Sequence, residues 1–256
     1  MDYNYHTHTP RCKHASGTPE EYVLRSIECG IKYMGFSDHA PFVCANGTES
    51  GYRMYSAEAK DYCEEIKALA HKYKDKIELL AGYEMEYYPD DFERMLKFAV
   101  DSGAQYLILG EHFSFDESLG TLPNGAESDS LEQLQIYAER ITEGIKTRKF
   151  TYIAHPDIIN FTGSDEVYRE EIRKICIAAR EYNIPLEINF LGIRTNRHYP
   201  SEKFLLVAGE EKAPVTFGLD AHETASAFDG ESLKTALEYV EKYNLNYIGK
   251  PEIIFI

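Results

Sequence analysis

The chain has 256 residues, 43% of them hydrophobic and 27% charged, which is enough for one large α/β core spanning 1–256 as a single domain. A formal net charge of −16 argues against a nucleic-acid backbone as partner. No run reaches the roughly 20 apolar residues of a membrane helix, and the start Met1-Asp2-Tyr3-Asn4-Tyr5-His6 has no secretion signal, so a cytoplasmic protein that does not engage a membrane is expected.

In chain order, an apolar strand followed by an amphipathic helix recurs. The first strand is expected near Tyr3 to His6, then a helix from Pro19 with a Thr18/Glu21 capping box. A second strand, Lys32 to Ser37, precedes a helix over Ala57 to Tyr73. A third, Ile77 to Gly82, precedes a helix whose stripe is Phe92, Met95, Leu96, Ala99 and Val100. Tyr106 to Leu109 is the fourth strand, followed by a helix after Ser130 with a second capping box through Gln133. Thr151 to Ala154 is the fifth, before a helix with Ile172, Ile175 and Ala179 on one face. Pro185 to Asn189 and Val215 to Gly218 are the sixth and seventh, with helices near Glu202 to Gly209 and Ser232 to Tyr243, and Ile253 to Phe255 closes the chain. Such alternation implies a parallel sheet, and seven units over this length suggest a closed or nearly closed barrel. No GxGxxG follows the first strand and no P-loop is present, which disfavours a nucleotide-binding open sheet.

The nine histidines carry the functional signal. His6 and His8 form an HxH pair at the end of the first strand, where a two-residue spacing lets both imidazoles reach one ion. His39, Glu84, His112 and His155 end the second to fifth strands, Asp220 and His222 end the seventh, and His14 lies in the loop after HxH. Catalytic groups of a βα barrel sit at the C-terminal ends of its strands, so the rim collects more ligands than one ion can use. Two or three ions close together are expected, and imidazole-rich sites suit zinc, manganese or iron. His71 reads as a surface residue and His198 as a loop residue. On the sixth strand Glu187 and Asn189 share the interior face. The loop that follows brings Arg194 and Arg197, whose planar forks suit phosphate oxygens. Five cysteines without a CxxC pair argue against a disulfide framework or a zinc finger; Cys12 sits within the histidine-rich loop.

This order of HxH, loop His, strand-end His, Glu, two single His and a final DxH resembles the PHP (polymerase and histidinol phosphatase) superfamily. Tyr5-His6-Thr7-His8-Thr9-Pro10, Ser37-Asp38-His39-Ala40-Pro41 and Glu187-Ile188-Asn189 are similar to its stand-alone histidinol-phosphate phosphatases. The resemblance covers nearly the whole chain. It implies a distorted (β/α)7 TIM-like barrel of PHP type with a trinuclear site. His6, His8 and Asp220 would hold one ion, Glu84 would bridge it to a second completed by His112 and His155, and His14, His39 and His222 would hold the third.

The activity so implied is metal-dependent phosphomonoester hydrolysis, with L-histidinol phosphate as the expected substrate and histidine biosynthesis as the setting. A hydroxide between the two ions joined by Glu84 is the expected nucleophile. Arg194, Arg197 or both would clamp the phosphate, Asn189 would face the substrate, and Asp220 or His222 would aid the leaving group. Competing readings are a PHP phosphoesterase acting on a nucleotide, a sugar phosphate or a phosphotyrosine peptide, an amidohydrolase, and a non-catalytic metal-binding protein. The loops from Arg194 to His198 and from Cys44 to Gly51 would select among substrates, while the lack of a rim lysine disfavours the amidohydrolase.

Overall fold

The computed structural model describes residues 1–44, 46–115 and 122–256. Ala45, in the Cys44 to Gly51 loop assigned to substrate choice, lies outside the described residues. The elements run β1 (Tyr3–Asn4), α1 (Pro19–Glu28), β2 (Tyr33–His39), α2 (Ala59–Tyr73), β3 (Glu78–Met85), α3 (Phe92–Ser102), β4 (Tyr106–Leu109), α4 (Leu131–Thr147), α5 (Asp165–Tyr182), β5 (Leu186–Asn189), α6 (Phe190–Arg194), α7 (Glu202–Glu211), β6 (Pro214–Gly218), α8 (Gly230–Lys242) and β7 (Asn246–Tyr247).

All strand pairs are parallel, in the orders β1-β2-β3-β4 and β5-β6-β7. Two seams join these sheets. At one, Ile153 bridges Leu109 on one side and Leu186 on the other. At the other, Thr7 bridges Ala221, with His8 N–H donating to Ala221 O at 3.0 Å and Ala221 N–H to His6 O at 3.2 Å. The sheet therefore curls on itself as a TIM-like α/β fold.

Strand alternation builds two cores. Leu79, Ala81, Tyr83 and Met85 of β3, Leu107 and Leu109 of β4, and Leu186 and Ile188 of β5 pack outward against the helices. Tyr3, Tyr5, Leu80, Tyr106, Ile108, Tyr152 and Ala154 form a second, interior cluster. Glu84 continues the inward phase of Leu80, and Glu187 and Asn189 take the phase opposite to Leu186 and Ile188. All three polar side chains are buried above the aromatic floor.

Several expected elements differ in the structure. The fifth strand is reduced to the bridge at Ile153, because only that residue of the Thr151 to Ala154 segment reaches both neighbouring strands. Ile253 to Phe255 is not a ladder strand: Phe255 makes one antiparallel bridge to Tyr106, while β7 on the β6 edge was not foreseen. The first strand stops at Asn4, whose side chain accepts from His6 N–H at 3.1 Å and donates to Thr7 Oγ1 at 2.7 Å in place of ladder bonds. That break in alternation lets Tyr3 and Tyr5 fill the floor while His6 and His8 also turn inward. The Thr18/Glu21 capping box forms. At α4, Ser130 caps Gln133 N–H, but the Gln133 amide turns away to Asn124 Oδ1 at 3.1 Å, so the reciprocal half is missing. On α3, Val100 is 46% exposed and falls outside the buried stripe.

The floor depends on the missing side chain at Gly82. A Cβ there would stand 2.6 Å from the carbonyl oxygen of Tyr106, against the same residue whose hydroxyl donates to Tyr5 O at 2.8 Å. Gly82→Ala should therefore cost about 1–3 kcal/mol by overpacking, read as a lowered midpoint in denaturant unfolding.

Candidate metal centre

Glu84 is fully buried, and five imidazoles from four segments converge on it. Its Oε2 lies 3.5 Å from His6 Nε2, 3.5 Å from His8 Nε2 and 3.1 Å from His39 Nδ1; its Oε1 lies 3.4 Å from His112 Nε2 and 2.7 Å from His155 Nε2. Asp220 Oδ1 approaches the same group, 3.6 Å from His6 Nε2, 3.4 Å from His8 Nε2 and 3.2 Å from His222 Nδ1. His14 joins through His39 and His222, its ring centroid 5.3 and 4.9 Å from theirs. Each of the nine sequence-derived ligands thus falls in one cluster. Gly110 leaves the room Glu84 needs, since a Cβ there would stand 2.6 Å from Glu84 Cδ.

The donor atoms fit metal ions. His6 Nε2, His8 Nε2, His39 Nδ1, both Glu84 oxygens and Asp220 Oδ1 are buried without a hydrogen bond of acceptable geometry. Buried polar atoms are normally satisfied, so a convergent set of unsatisfied ones marks a place for ions. Ligand atoms lie within 4.8 Å of one another in the groups His14/His39/His222, His6/His8/Glu84, His6/His155/Asp220 and His39/Glu84/His112.

Burial alone would raise the Glu84 carboxyl, but His112, His6, His39 and His155 hold it well below its ordinary value. Asp220 is likewise held low against burial by His6, His222 and His8. Burial disfavours charge on His8, yet Asp220 and Asp38 carry it up to about 9. His39 and His222 go the other way, burial holding both below the usual imidazole value. The carboxylates are thus kept ionised, the form that binds cations.

Hydrogen bonds on the far side of three of the rings fix their orientation: His6 Nδ1 meets Glu187 Oε1 at 2.8 Å, His14 Nδ1 meets Cys12 O at 2.8 Å and His112 Nδ1 meets Glu86 Oε1 at 2.9 Å, whereas His8 Nδ1 stands 3.4 Å from Asp38 Oδ1 without a directed hydrogen bond. A histidine backed this way presents its other nitrogen to a metal. Glu187 does double duty, its Oε2 accepting from His155 N–H at 2.8 Å. His155 and Asp220 both sit at positive φ, 28° and 46°, conformations that cost of order 1–3 kcal/mol each and must be held by such bonds. Asp38 and Glu86 were not singled out from sequence; their place one residue before His39 and two after Glu84 was the available signal.

The cluster floors a cavity of about 450 Å³ whose other walls include Tyr52, Ile158, Leu191, Arg197 and Tyr199. No lysine is among the described lining residues. Arg197 reaches it, donating to Tyr199 Oη at 2.9 Å. Arg194 does not act as a free clamp: it lies at the end of helix α6, where a loop was expected, and its guanidinium donates to Leu219 O and Asp220 O, both at 2.6 Å. Asn189 is also drawn away from substrate. Its amide donates to Glu187 Oε2 at 2.8 Å and Asp220 Oδ2 at 3.0 Å and accepts from Gly192 N–H at 3.0 Å, which makes it a brace between strands. His198 is bonded through Nε2 to Ile158 O at 2.7 Å, and His71 is exposed on α2. Cys12 is buried, its thiol pushed up to about 12 chiefly by burial.

Comparison with known proteins gives the chain's relatives and its family. The chain is 25% identical over 226 residues to the Deinococcus radiodurans protein named "Probable histidinol-phosphatase", covering 85% of each chain. It is 25% identical over 248 residues to the histidinol-phosphatase of Bacillus subtilis, covering 85% of this chain and 92% of that one. The histidinol phosphate phosphatase of Lactococcus lactis, solved with zinc, L-histidinol and phosphate, superposes with a TM-score of 0.69 at 19% identity, over 96% of this chain and 95% of the other. Residues 4–190 match the PHP domain, and the chain belongs to that family.

Proposed function

We propose that this protein is a metal-dependent phosphomonoesterase that hydrolyses L-histidinol phosphate to L-histidinol and phosphate. The observation that carries the reading is the set of unsatisfied buried donors around Glu84, opening onto a cavity with Arg197 on its wall. The names of the Bacillus subtilis and Lactococcus lactis relatives supply the substrate. A cytoplasmic place in histidine biosynthesis goes with it, and the net charge of −16 suits a small substrate drawn to bound cations rather than a nucleic acid. Taking the Ile153 segment as a stave and β7 as an extra strand on the β6 edge supports a distorted (β/α)7 ring of PHP type, read as a single domain over 1–256.

In this assignment His6, His8 and Asp220 would hold one ion, Glu84, His112 and His155 would hold a second, with Glu84 shared between the two, and His14, His39 and His222 would hold a third. Two to three divalent ions, zinc, manganese or iron, would when bound supply charge neutralisation on the phosphoryl oxygens and a water ionised near neutral pH. The protein does the rest by placement. Arg197, steadied on Tyr199, donates its remaining N–H groups to the phosphate. Arg194 fixes the backbone of Leu219 and Asp220 and so aims the Asp220 carboxylate. Asp220, held far below its ordinary value, stays ionised and binds rather than donating a proton. His222, its Nδ1 held by Asp220, turns Nε2 toward the leaving oxygen or an ion. Tyr52, Ile158, Leu191 and Tyr199 enclose the organic half of the substrate.

Purified protein should release phosphate from L-histidinol phosphate with two to three metal ions per chain by elemental analysis, and a chelator should abolish the release. Ions present with no release would overturn the substrate, and no ions would overturn the site. Arg197→Ala should lower kcat/KM by about 10–100-fold, roughly 1.4–2.7 kcal/mol of transition-state stabilisation. His222→Ala should lose both activity and bound metal; a variant with full activity and full metal content would remove His222 from the site.

A further inference from the structure

Resting on the metal-site reading above, we infer that the buried Arg53–Glu86 ion pair is a positioning device that sets the His112 imidazole as an ion ligand. The His112 ring stands between two carboxylates from the same strand end, Glu84 and Glu86. Its Nε2 faces Glu84 Oε1 at 3.4 Å, and its Nδ1 meets Glu86 Oε1 at 2.9 Å. With Glu86 accepting from Nδ1–H, the tautomer is fixed and the Nε2 lone pair is directed at the ion.

Glu86 is held in turn. The Arg53 guanidinium grips its carboxylate through two nitrogens, Nη1 to Oε2 and Nη2 to Oε1, a fork that allows the carboxylate plane little rotation. Both residues are shut off from water, Arg53 at 1% and Glu86 at 0% exposure. Arg53 comes from the segment before α2, far from β3 in sequence, and its carbonyl is tied to Lys13 Nζ. Adjacent Tyr52 lines the cavity. A buried ion pair is costly compared with apolar packing and adds little net stability, so its place directly behind a ligand is better explained by orientation. His155, which shares Glu84 Oε1, has no such backing: its Nδ1 is buried without a hydrogen bond.

The test is zinc retention by the full-length, zinc-loaded protein under a graded competing chelator, with thermal unfolding of the same samples. Glu86→Gln keeps the shape and removes the charge; it should release zinc at about 10–100-fold lower chelator than the wild type. That variant also leaves Arg53 as an unpaired buried charge and will be less stable. The double variant Arg53→Met, Glu86→Gln removes both charges, so its unfolding temperature should recover while its zinc retention stays weakened. Recovery of zinc retention together with stability would make the pair merely structural and overturn the inference, as would wild-type retention in Glu86→Gln. A wild type that takes up neither zinc nor manganese nor iron would overturn both this inference and the metal-site reading, whereas a zinc-binding wild type with unaltered variants overturns this inference alone.

Discussion

The structure is organised around one carboxylate that its surroundings leave unsatisfied. Glu84 is buried at 1% exposure, and neither oxygen has a properly directed hydrogen bond, although five imidazoles stand within 3.5 Å. An isolated ionised carboxylate in such a place would protonate or be expelled. Here the surrounding histidines keep it ionised, and its geometry makes sense when cations lie between it and the rings. The ends of β1, β2, β4 and the Ile153 segment are all placed by the requirement to reach that point.

The barrel interior meets this requirement by dividing into two storeys. The lower is an aromatic floor of Tyr3, Tyr5, Tyr106 and Tyr152, closed tightly enough that β3 needs glycine at position 82. Above it the inward positions turn polar, and each polar group is held by another. Asn189 joins Glu187 to Asp220, Glu187 joins His6 to the His155 backbone, and Arg194 fastens the carbonyls before and at Asp220. This bracing explains how His155 and Asp220 persist at positive φ, a strain that an unsupported rim would relax.

Much of this was legible in the sequence because strand ends carry their own signal. β4 was placed residue for residue, α1 with its cap, and the nine expected ligands lie together in one cluster. What failed depended on partners distant in sequence. The fifth strand could not be distinguished from a bridge, since its apolar run is the same whether one residue or four pair. Arg194 and Asn189 looked like substrate contacts because a loop arginine and an interior amide have that character; their real partners, Leu219 O and Asp220, come from the far end of the chain. Arg53 gave no signal, because an arginine in an irregular segment reads as solvated until Glu86 is seen opposite it.

Charge balance offers a view of the ions independent of counting ligands. Around the cluster lie the buried carboxylates Glu84, Asp220, Glu187, Asp38 and Glu86, and Arg53 pairs with the last of them. The four that remain carry the charge of two divalent ions. All four touch His6 or His8; Glu84 also reaches His112, His155 and His39, and Asp220 reaches His222. The His14/His39/His222 group contains no carboxylate, His14 is exposed, and burial holds both His39 and His222 toward the neutral form. An ion there would be held by neutral nitrogens and would keep more of its positive charge uncompensated. On the proposed assignment such an ion would have no carboxylate ligand of its own, only the neighbouring Glu84 and Asp220 at 3.1 and 3.2 Å from His39 and His222, and so would keep charge for a dianionic phosphate.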